Sequence, residues 1–239
     1  MLPPVAGLID GLMIQNTVGV FIVAFQGVCA LFMAGAIIHK TRQVGNWSSV
    51  MRRFRRDFDT SANVLSIYFE RRNDGRTPVE AIYRASCERL LKLIQPEARA
   101  RMYDNSFLPQ DAALSPREVA LVDSACERML GKQLLSLDSG MGLISTCVSL
   151  TPMLGLLGTV WGVLDAFGDM EPGAAMMQKL APSISAALVT TVIGLIIAIP
   201  GVAAYNWLNA GIRKLSDMLE SMSDEVCGRI ACEFQGGGD

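Results

Sequence analysis

The chain has one histidine, His39, and its six cysteines, at positions 29, 87, 126, 147, 227 and 232, include no CxxC pair. That scarcity argues against a structural zinc site or a disulfide framework and leaves free thiols as the expectation. Cys29 and Cys147 fall inside apolar runs, where a thiol behaves as a small hydrophobe. Neither a GxxxxGK[ST] loop nor a GxGxxG turn occurs, so nucleotide chemistry has no visible site. No nucleophile with a base, metal cluster or carboxylate pair stands out, and neither an enzyme nor a bound cofactor is expected. Charge is scarce too, at 18% of residues, and a formal net charge of −2 gives no reason to expect nucleic acid as a partner.

The 51% hydrophobic residues gather in three blocks, as they do in an integral membrane protein. Residues 17–38, 141–167 and 183–208 are each long enough to cross a hydrocarbon core of roughly 30 Å as a helix. Immediately after the first block come His39, Lys40 and Arg42, then Arg52, Arg53, Arg55 and Arg56. By the positive-inside rule that bias places residues 39–140 in the cytoplasm and the N-terminus outside. The connector 168–182 carries a single basic residue, Lys179, and reads as a short external loop. Arg213 and Lys214 mark the return to the cytoplasm, where 209–239 forms a C-terminal helix and tail. Ala34-Gly35-Ala36 resembles a signal cleavage site, but the positive n-region is missing and the apolar run is too long, so the first span is read as retained. Residues 1–16 read as an external interfacial segment.

The polar segment 39–140 is helical in pattern. Trp47, Val50, Met51, Phe54 and Phe58 recur at helical spacing, and so do Ile82, Tyr83, Cys87, Leu90, Leu91 and Ile94. Thr77-Pro78-Val79-Glu80 and Ser115-Pro116-Arg117-Glu118 each read as a capping-box helix start. From Ser115 a single helix is expected to run through the second span, with Gly131, Gly140 and Gly142 as its weak points. Ile212, Leu215, Leu219, Met222 and Val226 form a heptad-like stripe in the tail. The fold class is therefore all-α integral membrane: three transmembrane helices, N-out and C-in, with long helices extending into a cytoplasmic helical domain.

The second span carries Pro152, Gly155, Thr159, Gly162 and Ala166 on one helical face, and the third carries Ser183, Ala187, Thr190, Gly194, Ala198 and Gly201. Stripes of small residues serve close helix approach or line a pathway. Thr159, Thr190, Thr191, Ser183 and Ser185 are candidates for a polar ring; the plainer reading has each hydroxyl bonded to its own i−4 carbonyl. Hydroxyls do not titrate near neutral pH, so such a ring needs a partner that brings a carboxylate. Asp165 reads either as part of an external ion entrance or as an interfacial carboxylate facing water.

Two stretches, Thr151-Pro152-Met153-Leu154-Gly155-Leu156-Leu157-Gly158-Thr159-Val160-Trp161-Gly162 and Ala181-Pro182-Ser183-Ile184-Ser185-Ala186-Ala187-Leu188-Val189-Thr190-Thr191-Val192-Ile193-Gly194-Leu195, resemble the ExbB/TolQ proton-channel subunits, distant relatives of the MotA stators. Ala198-Ile199-Pro200 and Tyr205-Asn206 fit the same pattern. The resemblance implies an inner-membrane homopentamer whose second and third helices line a pore. Inside it would sit an ExbD/TolR-like single-span partner carrying a membrane aspartate, and proton passage would drive work on a TonB- or TolA-like envelope protein. The family's pore threonines fall on Thr159 and Thr191. Its third-helix glutamate falls on Ala186, which leaves the partner's aspartate as the proton carrier. The competing expectation is a non-conducting membrane scaffold whose small faces, Pro152, Gly155, Gly162, Ala187 and Gly194 among them, only pack helices.

Overall fold

The structure is a computed structural model and describes residues 17–61, 63–70, 77–94, 113–168 and 176–234. Its helices are α1 (Thr17–Thr60), α2 (Ser66–Glu70), α3 (Pro78–Leu93), α4 (Pro116–Asp138), α5 (Met141–Gly168) and α6 (Met176–Phe234). Three stretches are long and apolar enough to cross a membrane: α1, the α4–α5 stretch, and α6 from Leu180 onward. Phe21, Leu31, Leu164 and Ile199 are between 65% and 78% exposed, as lipid-facing or subunit-facing side chains would be. The chain is a multi-pass helical membrane protein. The interfacial segment expected over residues 1–16 lies outside the described residues, as do 169–175 of the connector and the last five residues.

The chain divides into two compact units. One comprises residues up to Thr41 together with Gly140–Asn209; the other comprises Arg42–Ser139 and Ala210–Asp239. In the first, the buried face of α1 is Ile22, Gln26, Cys29 and Met33, a stripe at helical spacing. Also buried in this unit are Ile144, Val148, Thr151, Gly155 and Gly158 of α5, and Ala187, Thr190, Gly194, Ala198 and Gly201 of α6; Gln26 meets the Thr151 and Thr190 carbonyls, and Gly201 lies by Met33. Glycine and alanine here let helix backbones approach closely, which is how packing proceeds where lipid removes the hydrophobic drive between helices.

The second unit is packed with larger side chains. Met51, Phe54 and Phe58 of α1 are all buried, and the Phe54 ring meets that of Tyr83 edge-on at 5.3 Å. Phe58 meets Tyr83 at 6.2 Å, again edge-on. Each such pair adds about 0.5–1.5 kcal/mol to what area burial supplies. Ile82, Tyr83, Cys87, Leu90, Leu91 and Ile94 are all buried, and so is the tail stripe Ile212, Leu215, Leu219, Met222 and Val226. Arg229 ties the end of α1 to α6. Its Nη1 donates to the Phe58 carbonyl at 2.7 Å, its Nη2 to the Ser61 carbonyl at 2.5 Å, and its guanidinium lies 5.0 Å from the Phe58 ring centre.

Three local expectations change. Ser115 does form a complete capping box with Glu118, but Thr77 caps α3 by position alone: its side chain makes no cap bond, and its hydroxyl is buried without a partner among the described residues. The helix starting at Ser115 is not continuous. It ends at Asp138, and Gly140 takes a φ of +85°, a left-handed conformation that costs glycine nothing and other residues dearly, before α5 begins. Finally, α6 starts at Met176 and takes in Pro182, inside the stretch expected to be loop. Pro182 is the seventh residue of that helix, beyond its first turn, and having no N–H it cannot donate to the Gln178 carbonyl four residues back.

Candidate functional site: the small-residue seam of the membrane unit

The small residues of α5 and α6 meet each other, and the fit leaves no spare room. A Cβ placed on Gly155 would lie 2.8 Å from the Thr191 Cα, one on Gly158 2.8 Å from the Thr190 Cβ, and one on Gly162 2.6 Å from the Ala187 Cβ. On the other side of the seam, a Cβ on Gly194 would lie 2.8 Å from the Thr151 carbonyl oxygen. These separations are shorter than side-chain carbons tolerate. Glycine at each position is therefore a requirement of the close approach.

Hydroxyls stitch the same seam. Thr190 Oγ1 donates between two carbonyls, Ala187 at 2.7 Å in its own helix and Gly155 at 3.1 Å across the seam. Thr191 Oγ1 donates to the Gly155 carbonyl at 2.8 Å. Thr151 Oγ1 bonds its own i−4 carbonyl, Cys147, at 2.6 Å. Hydrogen bonds between membrane helices contribute about 0.6 kcal/mol each on average, so the pair on Gly155 is a modest clamp whose value lies in fixing register.

The candidate residues divide by position. Gly155, Gly162, Ala187, Thr190, Thr191 and Gly194 come together at the seam. Thr190 is 1% exposed and faces inward, which makes it a packing contact inside one chain and separates it from a surface ring. Thr191 is half-buried at the seam's edge. Thr159 lies one turn beyond Gly155 and is also half-buried, with Oγ1 donating to the Leu156 carbonyl at 2.7 Å in its own helix. The contact stripe of α5 thus runs Thr151, Gly155, Gly158 and Gly162, with Thr159 beside it. Pro152, Ser183 and Asp165 are half-buried, Ser185 is exposed, and Ala186 is buried.

One residue was missed by sequence reasoning. Gln26, the lone amide in the first apolar run, is fully buried, and its Nε2 donates to the Thr151 carbonyl of α5 at 3.1 Å and to the Thr190 carbonyl of α6 at 3.3 Å. It ties α1 to both other helices at one point. Its Oε1 is buried without a partner among the described residues, a cost of about 1–3 kcal/mol. The signal was available: an amide on the stripe Ile22, Gln26, Cys29 and Met33 is a polar group on a packing face.

Apolar helices long enough to span a membrane, meeting through glycine and threonine, define a helical membrane protein built on close helix contact. The model of the MotA/TolQ/ExbB proton channel family matches residues 97–221, more than half of the chain, and the chain belongs to that family. The Tol-Pal system protein TolQ of Haemophilus influenzae is 28% identical over 194 residues, covering 79% of this chain and 78% of the relative. The biopolymer transport protein ExbB of Neisseria gonorrhoeae is 29% identical over 159 residues, covering 66% and 70%. The TolQ protein of Pseudomonas aeruginosa is 33% identical over 129 residues, covering 53% and 56%. The family match covers α4, α5 and most of α6.

Proposed function

We propose that the chain is a proton-conducting stator subunit of an inner-membrane motor, with its N-terminus outside and its C-terminus in the cytoplasm. It assembles as a homopentamer around an ExbD/TolR-like single-span partner and passes work to a TonB- or TolA-like envelope protein. The observation that carries this reading is the pair Thr159 and Thr191, half-buried at the edge of a seam otherwise closed by glycine. Their hydroxyls bond helix carbonyls yet retain lone pairs able to accept a hydrogen bond from a protonated carboxyl. The three apolar blocks contain one carboxylate, Asp165, near the end of α5, and by the resemblance the family's third-helix glutamate falls on Ala186. The proton carrier is then the partner's membrane aspartate.

The energetics fit small repacking steps. One proton falling through 100 mV releases about 2.3 kcal/mol, comparable with one or two hydrogen bonds. A hydroxyl-lined wall permits such steps without holding the protonated acid too tightly. Replacing Thr159 or Thr191 by Val keeps the side-chain volume and removes the hydroxyl. Partner-dependent work in cells is expected to drop at least about tenfold with assembly intact, equivalent to about 1.4 kcal/mol on the rate-limiting step. Unchanged activity in an assembled complex would refute the role of the ring.

A second reading has one observation in its favour. Gly155, Gly158, Gly194 and Thr190 are all used in packing within one chain, as a non-conducting scaffold that recruits envelope partners would also require. A symmetric assembly with no inserted partner helix and no proton flux would support it.

A further inference from the structure

Outside the membrane unit, the second unit holds a pair of thiols that the motor reading does not use. Cys126 of α4 is fully buried, with Sγ 3.0 Å from Ser223 Oγ and 3.9 Å from the Ser223 carbonyl of α6. In an α-helix that carbonyl accepts the N–H of the residue four positions on, which here is Cys227. Cys126 Sγ is thereby seated against the turn of α6 that carries Cys227. Cys227 is half-buried and lines a groove of about 410 Å³ between α4 and α6, together with Val119, Asp123, Asp224 and Gly228. One thiol of the pair is thus reached from solvent, and its neighbour is sealed behind it.

We propose that Cys126 and Cys227 are an oxidisable dithiol, a modification site at which a hydroperoxide entering the α4–α6 groove closes a disulfide between the two helices. The hydroperoxide O–O bond breaks as its outer oxygen is transferred to Cys227 Sγ, giving a sulfenic acid and an alcohol (water, for hydrogen peroxide). Cys126 sulfur then attacks Cys227 sulfur. The S–S bond forms, the S–O bond breaks, and hydroxide leaves as water with the Cys126 proton. The two thiols together lose two electrons, and the peroxide gains them.

The surroundings suit the second step. In the reduced pair a hydrogen bond from the Cys227 thiol lowers the Cys126 pKa against the effect of burial and raises that of Cys227. Ser223 and Ser86 also lower the Cys126 pKa, and they stay in place for the second step once Cys227 is oxidised. By contrast Cys87, also fully buried, is pushed up to about 12, chiefly by burial, and remains a thiol. Cys232 is exposed and serves as an internal control.

The test uses the full chain in detergent, treated with tert-butyl hydroperoxide and mapped by non-reducing peptide mass spectrometry. The expected result is a Cys126–Cys227 cross-linked peptide two hydrogens lighter than the pair, reversed by dithiothreitol and absent from Cys227→Ser. Cys126→Ser should instead leave a trappable sulfenic acid at Cys227. If Cys126→Ser does not fold, the wild-type map and Cys227→Ser decide the matter alone. Recovery of Cys126 as an unmodified thiol while Cys227 or Cys232 is oxygenated, or a disulfide made with any other cysteine, would overturn the proposal.

Discussion

The two units of this chain solve the problem of packing helices in opposite ways. In the membrane unit, contact is made by subtraction: Gly155, Gly158, Gly162 and Gly194 remove side chains so that backbones and threonine hydroxyls meet directly. In the other unit, contact is made by filling: the rings of Phe54 and Phe58 meet that of Tyr83 edge-on, and large leucine and isoleucine side chains are buried in the same unit. The difference follows from solvent. In water, each large apolar side chain buried contributes about 1.5–3 kcal/mol, whereas between helices already in lipid that gain vanishes and close fit remains. The units should therefore fail in opposite ways: one when atoms are taken away, the other when atoms are added.

The largest effect is expected from removal in the aromatic cluster. Phe58→Ala should cost about 3–5 kcal/mol in denaturant unfolding, because the ring packs on Tyr83 and under the Arg229 guanidinium. Next, Gly194→Ala in the membrane unit should cost about 1–3 kcal/mol and reduce assembly, because the new methyl meets the Thr151 carbonyl oxygen, a backbone atom that cannot swing aside. The same substitution at Gly131, on α4, meets nothing within 4 Å and should stabilise by about 0.5–1 kcal/mol, through helix propensity alone. Equal signs for the two glycine variants would break the comparison.

The smallest expected effect is electrostatic. Hydrogen bonds from the Ser115 backbone and side chain lower the Glu118 carboxyl pKa, so its folded value lies below its unfolded one. Such a group contributes stability that is present above the unfolded pKa and is lost as pH falls through the folded pKa. The stability difference between wild type and Glu118→Gln should accordingly be constant near neutrality and shrink as acidification takes the pH below the ordinary carboxylate range and through the lowered folded pKa. A difference that grew on acidification would contradict the assignment of the capping box.

Much of this was legible without coordinates. The three apolar blocks, the buried stripes of α3 and of the α6 tail, and the Ser115 cap follow from spacing and local chemistry, and these propagate directly into structure. The break at Gly140 was visible as a weak point, but nothing local required a glycine to leave the helix there. Thr77 shows the limit of a motif, since cap residues in the right order formed no side-chain bond. At the seam, a 3.6-residue stripe located the small face of α5 but not its rotation. Gly158 and Gly162 meet α6, while Thr159 falls at the edge, a detail set by which helix packs on which. Gln26 was passed over because one amide in an apolar run has no local meaning until the carbonyls of two other helices converge on it.

The most direct test of the central claim is proton flux in liposomes containing the purified assembly, with a voltage imposed across the membrane. The account predicts flux that requires the single-span partner, disappears when the partner's membrane aspartate is replaced by asparagine, and falls with Thr191→Val in this chain. Flux from this chain alone, or no flux from a complete assembly with its partner helix inserted, would contradict it.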